Sequence, residues 1–185
     1  MLENIYKETK ERMRKSVEAV TREFRSVRTG KATVQLLDTV RVHAYGAQMP
    51  LNQVATVAAP EPRLLVVQAF DKNTVGEIVK AIQKADLGFN PVVDGQVIRI
   101  PVPPLNEERR QELARHCKNV AEEGRVAVRN IRRDANERIK KAQKDKTISE
   151  DEEKDGLEEV QTITTEFIDE IDDLLEKKEA DVLEV

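Results

Sequence analysis

Regularly spaced arginines are the side chains best suited to chemistry in this chain of 185 residues. In the segment RVAVRNIRRD, Arg125, Arg129 and Arg132 follow the spacing i, i+4 and i+7, which places three guanidinium groups on one side of a helix. A guanidinium group donates two parallel hydrogen bonds to phosphate oxygens and can also stack on an exposed base. The spacing therefore predicts a face that binds folded RNA.

A second set of arginines recurs at every third position of an earlier helical pattern. Its members are Arg22, Arg25 and Arg28. Side-by-side packing of the two helices would unite both sets in one basic face. Arg132 and Arg133 cannot face the same way on a helix, and the adjacent Asp134 is a candidate partner for one of them. The alternative is that the arginines pair with an acidic helix at the surface, which adds little to stability.

The net charge of −4 conceals an uneven distribution along the chain. Residues 149–185 contain 16 acidic and 3 basic side chains, whereas the preceding 148 residues contain 28 basic and 19 acidic ones. A basic body beside an anionic segment can indicate an RNA-binding face whose opposite side is kept anionic, and the alternative is ordinary solvation of the helices. Charged residues make up 36% of the chain and aromatic residues 3%, which favours long solvated helices over an apolar catalytic pocket.

Patterns for catalysis or metal binding are absent from the sequence. The only histidines are His43, in a predicted strand, and His116, beside Cys117 on a predicted helix. A nucleophile needs a base within hydrogen-bond reach, and adjacent helical residues point about 100° apart. Cys117 lies on an apolar stripe, so we interpret it as a core residue. Without a phosphate-binding glycine loop or a Cys or His cluster, the sequence predicts no enzyme, cofactor or metal.

The sequence also indicates a cytoplasmic location. Its single cysteine cannot form an internal disulfide, and the opening MLENIYKETK lacks the apolar stretch of a secretory signal. No segment approaches the roughly 18 apolar residues of a membrane-spanning helix. We therefore expect a protein of the reducing cytosol that does not cross a membrane.

The elements that must position the arginines begin with a helix from Leu2 to about Thr29, where Gly30 is suited to end it. Alternating apolar residues, apolar runs and an Asp-Gly turn signal then indicate a small α/β segment over residues 31–104. Its expected elements are strands at residues 40–44, 64–70 and 96–100 and one helix at residues 75–82.

Two more long helices follow the proline-rich segment at residues 101–104, through which neither a strand nor a helix can run. Asn106 can cap the second long helix. We expect that helix to end near Lys146, because Ser149 and Glu152 form the capping box of a third. None of the three apolar stripes can be buried by its own helix, so a three-helix bundle is predicted.

The α/β segment interrupts this bundle in the sequence. We assign residues 1–30 and 105–185 to the bundle and residues 31–104 to an inserted domain, which gives an α+β fold. Two adjacent crossings of the chain make a natural hinge. The hinge residues are Thr29, Gly30, Lys31, Val102, Pro103 and Pro104.

Several long blocks of this sequence closely resemble the ribosome recycling factor family. They include FRSVRTGKA, YGAQMPLNQVA, DLGFNP, PPLNEERR, RVAVRNIRRDA and ISEDEE, in family order along the whole chain. The resemblance implies an L-shaped protein of near-tRNA dimensions. It also implies a three-helix bundle as domain I and a small β/α/β domain II on a flexible two-stranded hinge, which agrees with the layout read from the sequence.

The resemblance further implies a role in translation rather than catalysis. The factor would enter the post-termination 70S ribosome, bind large-subunit rRNA through domain I and, with elongation factor G and GTP, help to separate the subunits. The GTP would be bound and hydrolysed by the partner, so no cofactor of its own is expected. Arg132 matches the arginine central to rRNA binding, and Arg28 and Arg129 match its basic neighbours. Arg25, Arg125 and Arg133 complete the expected set.

The sequence departs from the commoner family pattern at Ala44, where an aromatic is usual, at Asn106 and in the segment TITTEF at residues 162–167. None of these changes is expected to touch the arginine stripe.

Two other classes of protein are alternatives to the family. An oligomerising helical protein would need apolar stripes that extend as heptads, and we expect a monomer because capping signals interrupt them. An enzyme would need convergent groups, whereas Asp71, Asp86 and Asp94 lie where turn-forming aspartates occur.

Overall fold

The computed structural model describes residues 1–183 and divides the chain into two compact units. One unit comprises Met1–Arg28 and residues 107–183, and the other comprises Thr29–Asn106. The helices are α1 (Leu2–Ser26), α2 (Val75–Lys84), α3 (Glu107–Lys144) and α4 (Glu150–Leu183). No helix within residues 1–183 is long and apolar enough to cross a membrane.

The first unit is a bundle of α1, α3 and α4, held together by apolar side chains at helical spacing. On α1 the buried stripe includes Met13, Val17, Val20 and Phe24. Equivalent stripes on α3 and α4 close the core with Val128, Ile131, Ile139, Val160, Ile163 and Ile171. Each helix thus buries the side that it cannot leave in water, and its charged residues remain outside.

The long helices pack antiparallel where the chain reverses direction between α3 and α4. Lys146 takes a positive φ of 58° just after α3, and Thr147 N–H donates to the carbonyl of Ala142 at 2.9 Å. Ser149 N–H donates to Glu152 Oε2 at 2.7 Å, and Glu152 N–H donates to Ser149 Oγ at 3.2 Å. The predicted capping box is therefore confirmed, and it fixes where α4 begins.

The second unit contains six strands in two sheets and the short helix α2. The strands are β1 (Arg41–Ala44), β2 (Ala47–Pro50), β3 (Ala55–Glu61), β4 (Leu64–Ala69), β5 (Val92–Asp94) and β6 (Val97–Pro101). A hairpin joins β1 to β2, and an antiparallel sheet has the order β3-β4-β6-β5. Alternate residues of β4 and β6 point inward, where Leu65, Val67, Ile98 and Ile100 pack in one core with Ile78 and Ile82 of α2.

The α+β fold class is confirmed, with some differences in the elements. The helix α1 ends at Ser26 rather than near Thr29, because Val27 takes an extended backbone and buries its side chain. Strands β2, β3 and β5 were not predicted; β3 contains the run Ala-Ala-Pro and is largely exposed, so it lacks a buried-strand signal. Strand β6 includes Pro101, which is tolerated because it is the last residue of the strand.

Replacement of Gly124 by alanine is expected to destabilise the bundle although alanine favours helix. A Cβ at Gly124 would lie 2.5 Å from Val20 Cγ2 and 3.3 Å from Ile171 Cδ1. Because valine is stiff at χ1, the helices themselves would have to separate. We expect a loss of about 1–3 kcal/mol in the free energy of unfolding, measured by urea denaturation followed by circular dichroism.

The matched control is Gly156→Ala, in the same unit and also within a helix. Its Cβ would lie 3.3 Å from Leu2 Cδ2, the end of a flexible side chain, and 3.4 Å from two Ile139 atoms. The gain in helix propensity, about 1 kcal/mol, should offset this small crowding. Equal stability of the two variants would contradict the close approach of α1 and α3 at Gly124.

Candidate nucleic-acid interface

The arginine stripe of α3 lies on the side of that helix that faces α4. Arg125 donates to Asp172 Oδ1 on α4 at 2.5 Å and to Glu122 Oε2 at 2.8 Å. Arg129 donates to Glu122 Oε1 at 3.0 Å. The first two members of the predicted stripe are therefore paired with carboxylates, but only Arg125 reaches the acidic helix as the alternative anticipated, because the partner of Arg129 is on α3 itself.

Arg132 differs from the other two because its partner is neutral. Its guanidinium donates to the amide oxygen Oε1 of Gln161 on α4 at 3.2 Å, and no carboxylate of the described chain lies within 4 Å of it. The next residue, Arg133, is exposed and has no ion-pair partner among residues 1–183. Positive charge is thus left uncompensated at this level of α3.

The expected pairing of Asp134 with Arg132 or Arg133 is wrong. Asp134 accepts a hydrogen bond at 2.8 Å from Arg12 of α1. On the same side of α3, Arg138 donates to Glu8 of α1 at 2.5 Å. These bonds tie α3 to α1, because residues 134 and 138 point away from the arginine stripe around the helix.

The arginines of α1 that bond to other helices are Arg12 and Arg14, which are not members of the predicted set. On α1, Arg14 donates to Glu170 of α4 at 2.6 Å, and its guanidinium carbon lies 4.7 Å from the centre of the Phe167 ring. Arg25 follows Arg14 by three turns and lies on the same side of α1. Arg14 therefore lies at the groove between α1 and α4, and Arg125 and Arg132 lie at the groove between α3 and α4. Arg28 is exposed, beyond the end of α1.

The ion pairs of the stripe change how its groups titrate. Hydrogen bonds from Arg125 and then from Arg129 lower the pKa of Glu122. This carboxylate therefore stabilises the fold above the pKa of an unfolded glutamate, and the contribution is lost as the pH falls through the lower folded-state pKa. Burial lowers the pKa of Arg125, but its bonds to Glu122 and Asp172 outweigh burial and raise the pKa overall.

The altered segment TITTEF lies closer to the stripe than expected. Thr165 Oγ1 accepts a hydrogen bond at 3.3 Å from Gln161 Nε2, and Gln161 is the partner of Arg132. Thr165 thus adjoins the partner of Arg132 but does not itself bond to an arginine of the stripe. Helical spacing brings Thr165 and Gln161 together on α4, but only the packing of α4 on α3 shows that both adjoin Arg132.

Two exposed aromatic residues of the second unit, Tyr45 and Phe70, were not predicted as candidate functional residues. Ala44 is buried, so an aromatic at that position would enter the core rather than stack on a ligand. Tyr45, in the turn that follows, is 71% exposed and donates to Asp71 Oδ2 at 3.1 Å. Phe70 is 63% exposed. The sequence feature that could have identified Tyr45 and Phe70 is their position directly after an apolar strand, where the alternation of inward-facing and outward-facing side chains stops.

The residues considered as catalytic candidates lie in the core, on a strand and in a turn. Cys117 is fully buried on the α3 stripe and burial raises the pKa of its thiol, which confirms it as a core residue. His43 is exposed on β1. Asp71 accepts from Asn73 N–H at 2.9 Å and so forms a turn. No group of side chains that could hold a metal ion occurs in the part of the chain that the structure describes.

The two segments that join the units are fixed to one turn of the second unit. Ala32 N–H donates to the carbonyl of Pro62 at 2.7 Å, and Val102 N–H donates to the carbonyl of Arg63 at 2.8 Å. In the first of these segments, Gly30 has a φ of +76°, and a Cβ on it would lie 3.1 Å from Leu105 Cγ. Gly30 is thus required both by its backbone conformation and by the space available.

Comparison with known proteins agrees with the fold. The family model for ribosome recycling factor matches residues 20–183. The ribosome-recycling factor of Carboxydothermus hydrogenoformans is 54% identical and that of Bacillus licheniformis is 50% identical, each over 100% of both chains. A solution structure of the ribosome recycling factor has a TM-score of 0.73 and 43% identity, covering 100% of this chain and 98% of that one.

A second solved structure includes a partner. It describes the T. thermophilus ribosome recycling factor and E. coli elongation factor G bound to the E. coli post-termination complex, with a TM-score of 0.64, 49% identity and 99% coverage of both chains. The fold defines a class of non-enzymatic translation factors in which a small α/β unit interrupts a three-helix bundle. This chain belongs to the ribosome recycling factor family.

Removal of the Glu122 charge is expected to strengthen RNA binding by the stripe. Glu122→Gln leaves Arg129 without a carboxylate partner and Arg125 with only Asp172. The freed charge can then replace a counterion on a phosphate, which should steepen the dependence of log affinity on log salt by about 0.7–0.9. The measurement is binding to vacant 70S ribosomes across a salt series.

The control for this variant is Glu77→Gln in α2, which changes the net charge equally and removes an ion pair with Lys80. It should leave the salt dependence unchanged. If both variants shift affinity to the same extent, a general charge effect is responsible and the α3 stripe is not the contact.

Proposed function

We propose that this chain recycles ribosomes after termination. It binds the post-termination 70S ribosome and, with elongation factor G and the GTP that this partner holds, promotes release of the subunits from mRNA and tRNA. Family membership supports this role, as does the likeness to a recycling factor bound with elongation factor G to a post-termination complex. The site of action is the cytoplasm, where ribosomes assemble on mRNA.

The RNA contact is carried by the first unit, and large-subunit rRNA is the ligand. The observation that carries this proposal is the neutral partner of Arg132: its charge remains available to a phosphate while the charges of Arg125 and Arg129 are shared with carboxylates. Arg133 adds exposed charge beside it. Arg28 and Arg25, both exposed near the C-terminal end of α1, provide a second contact.

The joining segments act as a hinge through which a force on the second unit reaches the bundle. The hinge consists of Thr29, Gly30, Lys31, Val102, Pro103 and Pro104. Backbone hydrogen bonds hold both segments to the turn between β3 and β4. This supports a common pivot for the two places where the chain passes between the units. Prolines at positions 103 and 104 limit φ, so the joint transmits force rather than absorbing it. The protein acts as a monomer, because its long helices bury their apolar stripes against one another.

Replacement of Arg132 by alanine is expected to weaken ribosome binding by about tenfold or more, since one charge-assisted contact to phosphate is lost. The dependence of log affinity on log salt should become shallower by about 0.7–0.9. Binding to vacant 70S ribosomes at several salt concentrations measures both quantities. The control Arg63→Ala removes an exposed arginine from the second unit and should leave the slope unchanged. Tight binding by folded Arg132→Ala with an unaltered slope would exclude this residue as the anchor.

Loosening the joint is expected to separate binding from subunit release. The double variant Pro103→Gly and Pro104→Gly should bind ribosomes with nearly unchanged affinity, yet split them several-fold more slowly with elongation factor G and GTP. Light scattering follows the splitting. The control removes two prolines elsewhere in the second unit, Pro60→Gly and Pro91→Gly. Undiminished splitting by the joint variant would contradict a force-transmitting hinge.

A further inference from the structure

The helix α4 is the acidic element of the bundle, but it has one segment without charge. Residues 160–165, with the sequence VQTITT, form the longest uncharged run in α4. We call this run the neutral window. On its C-terminal side, carboxylates of α4 reach basic residues of the neighbouring helices: Glu170 pairs with Arg14, Asp172 with Arg125 and Glu179 with Lys118. The neutral window is therefore a local exception to charge compensation.

The neutral window lies opposite Arg132. At this level the α4 side chain that meets α3 is Gln161, whose amide oxygen accepts from the Arg132 guanidinium at 3.2 Å. About three turns away, the corresponding contact of α3 with α4 is the ion pair of Arg125 with Asp172. A neutral acceptor holds a guanidinium in place without cancelling its charge, whereas a carboxylate does both.

Thr165 fixes which way the Gln161 amide points. Its hydroxyl donates to the backbone carbonyl of Gln161 at 3.0 Å, and its oxygen accepts from Gln161 Nε2 at 3.3 Å. With its own hydrogen committed, Thr165 Oγ1 can only accept from the amide, so the NH₂ group turns toward Thr165. The amide oxygen is then left to face Arg132.

We propose that Gln161, oriented by Thr165, is a positioning residue that presents Arg132 to an RNA phosphate without neutralising it. The inference rests on the proposed function and adds to it a second wall of the RNA site, on α4. The RNA backbone runs along the groove between α3 and α4 at the neutral window. The choice of amide or carboxylate opposite each arginine decides which guanidinium reaches phosphate.

The test is Gln161→Glu, which replaces the amide by a carboxylate of nearly the same shape. The new ion pair should cancel the Arg132 charge, weaken binding to vacant 70S ribosomes by about tenfold and make the salt dependence shallower by about 0.7–0.9. The matched control is Thr162→Glu, which adds the same charge to an exposed position of the next residue, about 100° around the helix. It should alter the affinity far less and leave the slope unchanged.

The variant Arg132→Ala distinguishes failure of this inference from failure of the proposed function. If Arg132→Ala weakens binding but Gln161→Glu behaves like Thr162→Glu, the positioning role is wrong and the anchor stands. If Arg132→Ala itself has no effect, the proposed anchor is wrong. In the Arg132→Ala background, Gln161→Glu should have no more effect than the control charge, because the two changes act on one contact.

A second series tests the orienting role of Thr165 without adding charge. Thr165→Val removes the acceptor for Gln161 Nε2 and should reduce affinity severalfold, whereas Thr165→Ser retains the hydroxyl and should bind like the parent protein. Circular dichroism and thermal unfolding check that each variant is folded. Equal affinities for the valine and serine variants would overturn the orienting role.

Discussion

Burial of three long apolar stripes against one another is the constraint on which the bundle depends. None of α1, α3 and α4 can hide its stripe by itself, so each helix is stable only in contact with the other two. At Gly124 the absence of a side chain admits Val20 of α1. Once the apolar side of each helix is buried in the core, the direction of its other side chains is fixed. The arginines of α3 face the groove with α4 because Val128 and Ile131 face inward.

This commitment also determines how charge is distributed. Carboxylates of the acidic α4 pair with Arg125 of α3 and Arg14 of α1, and exposed pairs of this kind add little stability. These ion pairs instead determine whether a guanidinium group is available to RNA, because a paired arginine must leave its carboxylate before it can bind a phosphate. Selectivity for one arginine can therefore arise from the residue opposite it, even when the arginines themselves are alike.

Features set by local chemistry could be predicted from the sequence, and features set by neighbouring elements could not. The capping box at Ser149, the core position of Cys117 and the turn after Ala44 depend on residues close in sequence. The partners of Asp134 and Arg132 lie more than 25 residues away and depend on the rotation of α1 and α4 about their axes. Strand β3 was missed for a similar reason, since it is stabilised by pairing with β4 and not by its own apolar pattern.

Insertion of the α/β unit between α1 and α3 has a mechanical consequence. The bundle requires α1 and α3 to lie side by side, so the chain must leave and re-enter it through two neighbouring segments. In the second unit, hydrogen bonds from Ala32 and Val102 hold those segments at successive carbonyls of one turn. Under the proposed hinge mechanism, a force on that unit would reach both crossings together, because both are bonded to the same turn. Two anchored crossings would restrict twisting in a way that a single linker cannot.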